Sequence, residues 1–99
     1  MKITREIPIT QEILKESLKL MAIYGERNLI EINNLQPSDE FIVMHMERLK
    51  SVSDCIREKL NIGDYLIAVD PETCCVIVTD LPVKDLSYKT NYPFKKDLI

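Results

Sequence analysis

Two adjacent cysteines and a single histidine are the residues of this sequence with the most distinctive chemistry. Cys74 and Cys75 lie in the stretch VDPETCCVIVTD, and His45 is the only histidine in the chain. A thiolate activated by an imidazole is the nucleophile of one class of enzymes, so a cysteine-dependent enzyme is one interpretation. Adjacent side chains of a strand point to opposite faces, however, and the sequence has no CxxC spacing. We therefore predict no metal site and no cofactor, and interpret the two cysteines as small apolar residues of a strand.

Cys74 also occupies a special position behind the D-P-E-T turn. Glycine is common at this point because the backbone there often adopts the left-handed conformation. If Cys74 has a positive φ, we expect it to be strained, exposed and the more reactive of the two thiols.

A small-ligand pocket near His45 is another interpretation. His45 lies on the apolar face of a predicted helix, and Tyr65 lies at the start of a predicted strand. Together with Asn33 or Asn34, they could supply the polar groups of a nucleotide or metabolite site. A catalytic base also needs an orienting partner, and the spacing identifies none, so no catalytic residue is predicted.

The composition excludes several functional classes. Gly25 and Gly63 are the only glycines, which excludes the glycine-rich loops of Walker, Rossmann and α/β-hydrolase proteins. The net charge of −3 and the mixed charges of the helices argue against nucleic acid as a partner. No apolar run approaches the roughly 20 residues that span a bilayer. The N-terminus has no apolar core of a signal peptide, and the unspaced cysteines suit a reducing compartment, so we expect a cytoplasmic protein.

The periodicity of the chain predicts an α+β domain with the element order β-α-β-α-β-β. Residues 1–9 alternate between apolar and polar, and they predict a strand at the sheet edge because Pro8 cannot donate to a ladder. Residues 11–24 have helical periodicity, and Gly25 is a natural residue to end that helix. Residues 28–32 predict a short strand.

The second half of the chain predicts a long helix and a hairpin. Ser38 is the expected N-cap of the helix, and Asn61 is near its end. Residues 64–70 and 74–80 flank the D-P-E-T turn, predicting an antiparallel hairpin of two central strands. We expect a two-layer sandwich in which a mixed sheet of about four strands carries both helices on one face.

Each predicted helix has one apolar face with a few apolar residues outside it. The predicted buried face of the first helix comprises Ile13, Leu14, Leu18, Leu20, Met21 and Tyr24. That of the second comprises Phe41, Ile42, His45, Met46, Leu49, Val52, Ile56 and Leu60. Ile23, Val43 and Met44 fall on the polar sides. Single exposed apolar residues are usual on monomers, and the alternative interpretation is an interaction surface that a second subunit covers.

The C-terminal segment completes the prediction. Residues 1–81 are expected to form the single domain, and residues 82–99 a tail that contains three of the six aromatic residues, Tyr88, Tyr92 and Phe94. These aromatics need a place to bury, either on the domain itself or on a partner subunit. We therefore predict a small non-enzymatic protein-interaction or regulatory protein that forms a homodimer or larger assembly, or binds another protein.

Overall fold

The computed structural model describes residues 2–83, which form an α+β unit of two helices and a three-stranded sheet. In chain order the elements are β1 (Ile3–Pro8), α1 (Gln11–Ile32), α2 (Asp39–Leu60), β2 (Tyr65–Asp70) and β3 (Cys75–Pro82). The predicted α+β class is confirmed. The predicted order with a strand between the helices is wrong, because the observed order is β-α-α-β-β.

The segment 28–32, predicted to be a strand, forms the last turns of α1. A glycine inside a helix costs about 1 kcal/mol relative to alanine, so Gly25 weakens the helix without ending it. Ile30 packs against Ile42 of α2, in a small apolar cluster to which Met46 also belongs. Packing of this kind stabilises helices in proteins more than intrinsic propensity does, and it overrides the local strand-like pattern.

Asparagines, rather than Gly25, end the helices. After α1, Asn34 adopts the left-handed conformation with φ 53°, and the next amide bonds back to the carbonyl of Ile30. After α2, Asn61 does the same with φ 54°, which confirms the predicted end of that helix. Asparagine tolerates this conformation better than other non-glycine residues. The predicted start of α2 is also confirmed, because the Ser38 hydroxyl accepts a hydrogen bond from the backbone amide of Phe41 at 3.1 Å.

The sheet is antiparallel throughout, with the strand order β1-β3-β2. The prediction of a mixed sheet of about four strands is wrong because the segment that would have supplied the extra strand is helical. β1 lies at one edge, as Pro8 predicted. β3 is the central strand, but β2 forms the other edge of the described sheet and was predicted to be central.

The predicted hairpin is confirmed. The carboxylate of Asp70 accepts a hydrogen bond from the backbone amide of Glu72 at 2.9 Å, and this bond closes the turn. Cys74 follows with φ 54° and is exposed, as expected for a strained residue at this position.

The core lies between the two helices and one face of the sheet. In the register of the hairpin, Ile67 pairs with Val78 and Val69 pairs with Val76. Paired residues share a face, so these four side chains form one apolar surface. The buried core consists of these four together with Ile13, Leu20 and Ile23 of α1 and Leu49 and Ile56 of α2. Both helices therefore pack on the same face, as predicted.

The rotation of α1 differs from the prediction. Ile23, predicted to point outward, is buried, whereas Leu14 and Leu18, predicted to be buried, are exposed. Apolar residues cover more than half the circumference of this helix, so its periodicity alone leaves the buried direction open. Contacts with both the sheet and α2 select the face that contains Ile13, Leu20 and Ile23.

Neither described helix is long and apolar enough to cross a membrane. The predicted domain boundary after residue 81 stays a prediction, although β3 itself continues to Pro82. Tyr88, Tyr92 and Phe94 lie outside the described residues, so the predicted role of the tail stays a prediction.

Candidate interaction surface

An apolar stripe runs along the side of α1 that is not part of the core. We call it the outer stripe, and it consists of Leu14, Leu18, Met21, Gly25, Leu29 and Ile32. Its members follow one another at intervals of three or four residues, which places them in one line along a helix. Sequence reasoning missed this line because it assigned the first three members to the core.

The outer stripe is largely open to solvent. The exposed fraction is 54% for Leu18, 61% for Leu29 and 79% for Ile32, against 0% for Leu20 on the inner face of the same helix. Met21 is half-buried at the margin of the core. Gly25 is a gap in the stripe, because a Cβ added there would meet no atom within 4 Å.

The outer stripe faces away from α2. Contacts between the helices come from another side of α1, where the Glu16 carboxylate lies 3.3 Å from Lys59 and the Glu26 carboxylate 3.2 Å from Arg48. Helical geometry places Glu16 on the side of α1 opposite the stripe and Glu26 about 100° from the centre of the stripe. The stripe is thus a second apolar face on a helix whose first apolar face is already buried.

Val43 and Met44, the predicted interaction residues of α2, are both exposed. Met44 lies beside a groove of about 520 Å³ between the helices, lined by Lys19, Ile23, Met44, Glu47, Arg48, Ser51 and Val52. Consecutive helical residues are about 100° apart, so Val43 points away from this groove. The two residues do not form one patch, and neither belongs to the outer stripe.

The connection between the helices adds a small apolar cleft. It has a volume of about 450 Å³ and is lined by Ile30, Leu35, Gln36, Pro37, Ser38 and Phe41. Leu35 is exposed there, close in sequence to Ile32 at the end of the outer stripe. Apolar surface is therefore concentrated on α1 and at the end of the helical hairpin.

His45 is buried in the helical layer beside Glu26 and Phe41. Its Nδ1 lies 3.5 Å from a carboxylate oxygen of Glu26, and the His45 and Phe41 ring centroids are 5.6 Å apart. Burial lowers the pKa of His45 below its ordinary value, and this effect outweighs the opposing charge of Glu26. A neutral imidazole in this position is a core residue.

The predicted ligand residues are not brought together. The exposed Tyr65 begins β2, and its carbonyl accepts a hydrogen bond from Arg57 at 3.3 Å. Arg57 lies twelve residues beyond His45 on α2, which corresponds to about 18 Å along the helix. Asn33 and Asn34 lie in the connection that follows the C-terminal end of α1. The side-chain amide of Asn33 donates a hydrogen bond to the carbonyl of Leu29. His45 lines neither cleft described above.

The thiols are also separated from the imidazole. Cys75 alternates with the core residue Val76, so its side chain lies on the sheet face away from the helices and from His45. Cys75 Sγ lies 3.4 Å from the carbonyl of Thr73, and Cys74 Sγ lies 3.7 Å from that of Pro71. Within residues 2–83, no three His, Cys, Asp or Glu side chains are grouped to hold a metal.

A buried arginine that the sequence did not single out anchors the end of α2. Arg57 is 4% exposed, contacts the Asp54 carboxylate and donates to the Tyr65 carbonyl. Lys50 holds the same carboxylate at 2.6 Å. Partial burial alone would raise the pKa of Asp54, but the hydrogen bonds from Lys50 and Arg57 outweigh it and lower the pKa. The signal in the sequence is that Arg57 borders the helical line Ser53, Ile56 and Leu60.

This cluster lines a polar cleft of about 550 Å³ with acidic and basic groups together. The cleft residues are Lys50, Asp54, Arg57, Glu58, Asn61, Gly63, Asp64 and Val83. Because Arg57 is already paired with Asp54 and a backbone carbonyl, the arrangement joins α2 to β2 and leaves little uncompensated charge for a ligand.

No protein-family model, curated protein or solved structure matches this chain.

Proposed function

We propose that this protein is a small non-enzymatic interaction protein that self-associates, and that the outer stripe of α1 is the surface it uses. The observation that carries the proposal is the exposure of Leu18, Leu29 and Ile32 in one line on a helix whose other side already supplies core residues such as Leu20. Exposed apolar residues scattered singly are usual, but a continuous line of them is typical of a surface that another protein covers.

The other two interpretations draw less support from the described residues. A ligand site would use His45 and Tyr65, but Tyr65 contacts Arg57, which lies about 18 Å along α2 from His45. A thiol enzyme would use His45 with Cys74 or Cys75. Cys74 lies at the hairpin turn, and the side chain of Cys75 lies on the sheet face away from the helices and His45. The three free thiols are consistent with the cytoplasmic location that we propose for the protein.

Light scattering on the full chain at about 5 to 200 µM tests self-association, since this range brackets the dissociation constants of small interfaces. We expect a mass that rises with concentration toward twice 11.5 kDa. The variant Leu29→Glu places a charge in the outer stripe, so we expect it to shift the mass toward that of one chain. Circular dichroism should show unchanged helix content, because Leu29 makes no core contact.

Ser51→Glu is the matched control, since it adds the same charge to an exposed position of α2. It should leave the mass unchanged. A wild-type mass of one chain across the whole concentration range would contradict the proposal. Dissociation by Met44→Glu instead of Leu29→Glu would move the surface to the groove between the helices.

A further inference from the structure

We propose that the occupant of the outer stripe is the same stripe of a second copy, running antiparallel, with Met21 of each copy opposite Gly25 of the other. This inference rests on the proposed function and specifies the arrangement of the dimer. Its partner is therefore a second copy of this chain, and the complex has a two-fold axis near residue 23 of α1.

The spacing of the stripe fits a helix–helix contact. Intervals of three and four residues give the apolar seam of a coiled coil, in which side chains of one helix enter spaces on the other. From Leu14 to Ile32 the seam is about 27 Å long. Two such helices in contact bury about 500 Å² on each copy, which is near the lower limit for a specific interface. A weak, reversible dimer is the expected result.

The shape of the seam selects the antiparallel direction. Gly25 leaves open space above the helix, and Met21, four residues away, carries the longest and most adaptable side chain of the seam. A two-fold axis between them places each Met21 in the gap above Gly25 of the second copy. In a parallel dimer the two gaps would face each other and leave a void, which packed interfaces avoid.

The same axis pairs the ends of the seam. If residue 21 lies opposite residue 25, then Leu14 lies opposite Ile32 of the second copy, and Leu18 lies opposite Asn28, next to Leu29. The pair Leu14–Ile32 joins two aliphatic side chains at each end of the seam, and the pair Met21–Gly25 joins a long side chain to a gap near its centre. In this arrangement the two copies of Leu14 are about 27 Å apart.

Disulfide trapping in the full chain tests the arrangement. The background carries Cys55→Ala, Cys74→Asn and Cys75→Ala, and must keep the wild-type mass and helix content. One variant then carries Leu14→Cys and another Ile32→Cys, both at exposed positions. Under mild oxidation, we expect the mixture of the two variants to form a disulfide-linked dimer and each variant alone to form almost none.

A separate measurement uses the gap at Gly25. Gly25→Leu improves helix propensity, and a Cβ at this position meets no atom of the described residues within 4 Å, so thermal stability at low concentration should rise. The same change should weaken association about tenfold or more, because the new side chain collides with Met21 of the second copy. Adding Met21→Ala to Gly25→Leu should restore part of the association. A purely structural role of Gly25 would not produce opposite effects on stability and association.

Each other outcome overturns the inference in a distinguishable way. Cross-linking of each variant alone would show a parallel dimer, so self-association would stand and the antiparallel arrangement would fail. A dimer with no cross-link in any combination would place the contact elsewhere. Loss of the dimer in Tyr92→Ser with Phe94→Ser, but not in Leu29→Glu, would identify the C-terminal segment as the contact. A strictly monomeric wild type would remove the proposed function as well.

Discussion

The two helices have the same length, 22 residues, but they use their apolar residues differently. α2 has one buried face, and its other side carries charged residues with two separate exposed apolar side chains, Val43 and Met44. α1 has an equally well buried face and, in addition, a continuous outer stripe. A single sheet face has room for one layer of helices, so α1 contains more apolar surface than the described residues bury.

The difference shows which surface is available for binding. The apolar residues of α2 are explained by folding, because residues such as Leu49 and Ile56 contact the core. Those of the outer stripe are not explained by folding of residues 2–83. Apolar surface that folding leaves exposed lowers solubility, and this is the physical ground for the binding role proposed above.

The largest expected effect separates the two faces of α1. Leu20→Ala removes a fully buried side chain, so we expect the free energy of unfolding to fall by about 2–5 kcal/mol. Leu18→Ala removes an exposed side chain of the same type two residues away, and it should cost about 0.5 kcal/mol or less in the monomer. Urea unfolding at low protein concentration measures both. Equal losses would mean that the outer stripe also packs against the chain.

The next effect concerns the anchoring of α2. Arg57→Ala removes a buried guanidinium and leaves the Tyr65 carbonyl without its donor, so a loss of about 1–3 kcal/mol is expected. Lys50→Ala removes the other partner of Asp54, but this ion pair is exposed and should contribute less than about 1 kcal/mol. The same unfolding measurement compares the two. If Lys50→Ala were the more costly change, the buried cluster would not be the anchor.

Gly25 gives a smaller effect, and α2 has no glycine to match it. In the Leu29→Glu background, where association is blocked, Gly25→Ala should raise the free energy of unfolding by about 1 kcal/mol because alanine favours the helix. The added Cβ has no neighbour within 4 Å, so no clash offsets the gain. Thermal denaturation followed by circular dichroism measures it. A loss of stability would indicate a contact at Gly25 inside the chain.

The smallest effect near neutral pH comes from His45, a titratable group on the buried side of α2. Its pKa is lowered in the fold, mainly by burial, with the charges of Arg27 and Arg48 acting in the same direction. The unfolded chain therefore binds a proton at a higher pH than the folded chain does. The contribution of His45 to the free energy of unfolding is fully present above about pH 6.5, and it is lost as the pH falls through and below that value.

Melting temperatures measured from about pH 7.5 to 5.5 test this behaviour, a range that spans the ordinary histidine pKa. The wild type should lose stability toward the acidic end. His45→Gln cannot titrate, so its melting temperature should change less over the same range. An identical pH dependence in both proteins would assign the effect to other groups.

Local features of the chain were predictable where local chemistry decides them. The Ser38 cap, the end of α2 near Asn61 and the turn closed by Asp70 each depend on a few neighbouring residues. The same turn raised the possibility of a positive φ at Cys74, which only the structure decided. The apolar face of α2 was predictable because a single stripe leaves no choice of direction. The role of Pro8 at an edge strand follows from its missing donor.

Features that depend on distant residues were not predictable from these patterns. The segment 28–32 has a strand-like composition, and only the packing of Ile30 against Ile42 shows why it is helical. The outer stripe was hidden because Leu14 and Leu18 fit a core face as well as Ile23 does. Arg57 resembled the other exposed charges of α2 until the carbonyl of Tyr65 was placed beside it.

The order of residues alone determined that this chain has two amphipathic helices and a hairpin, since capping, turn chemistry and periodicity act over a few residues. Only the tertiary structure decided which side of α1 enters the core, because that choice depends on the joint fit of the helix to β2 and α2. The side that was left outside is the surface on which the proposed function depends.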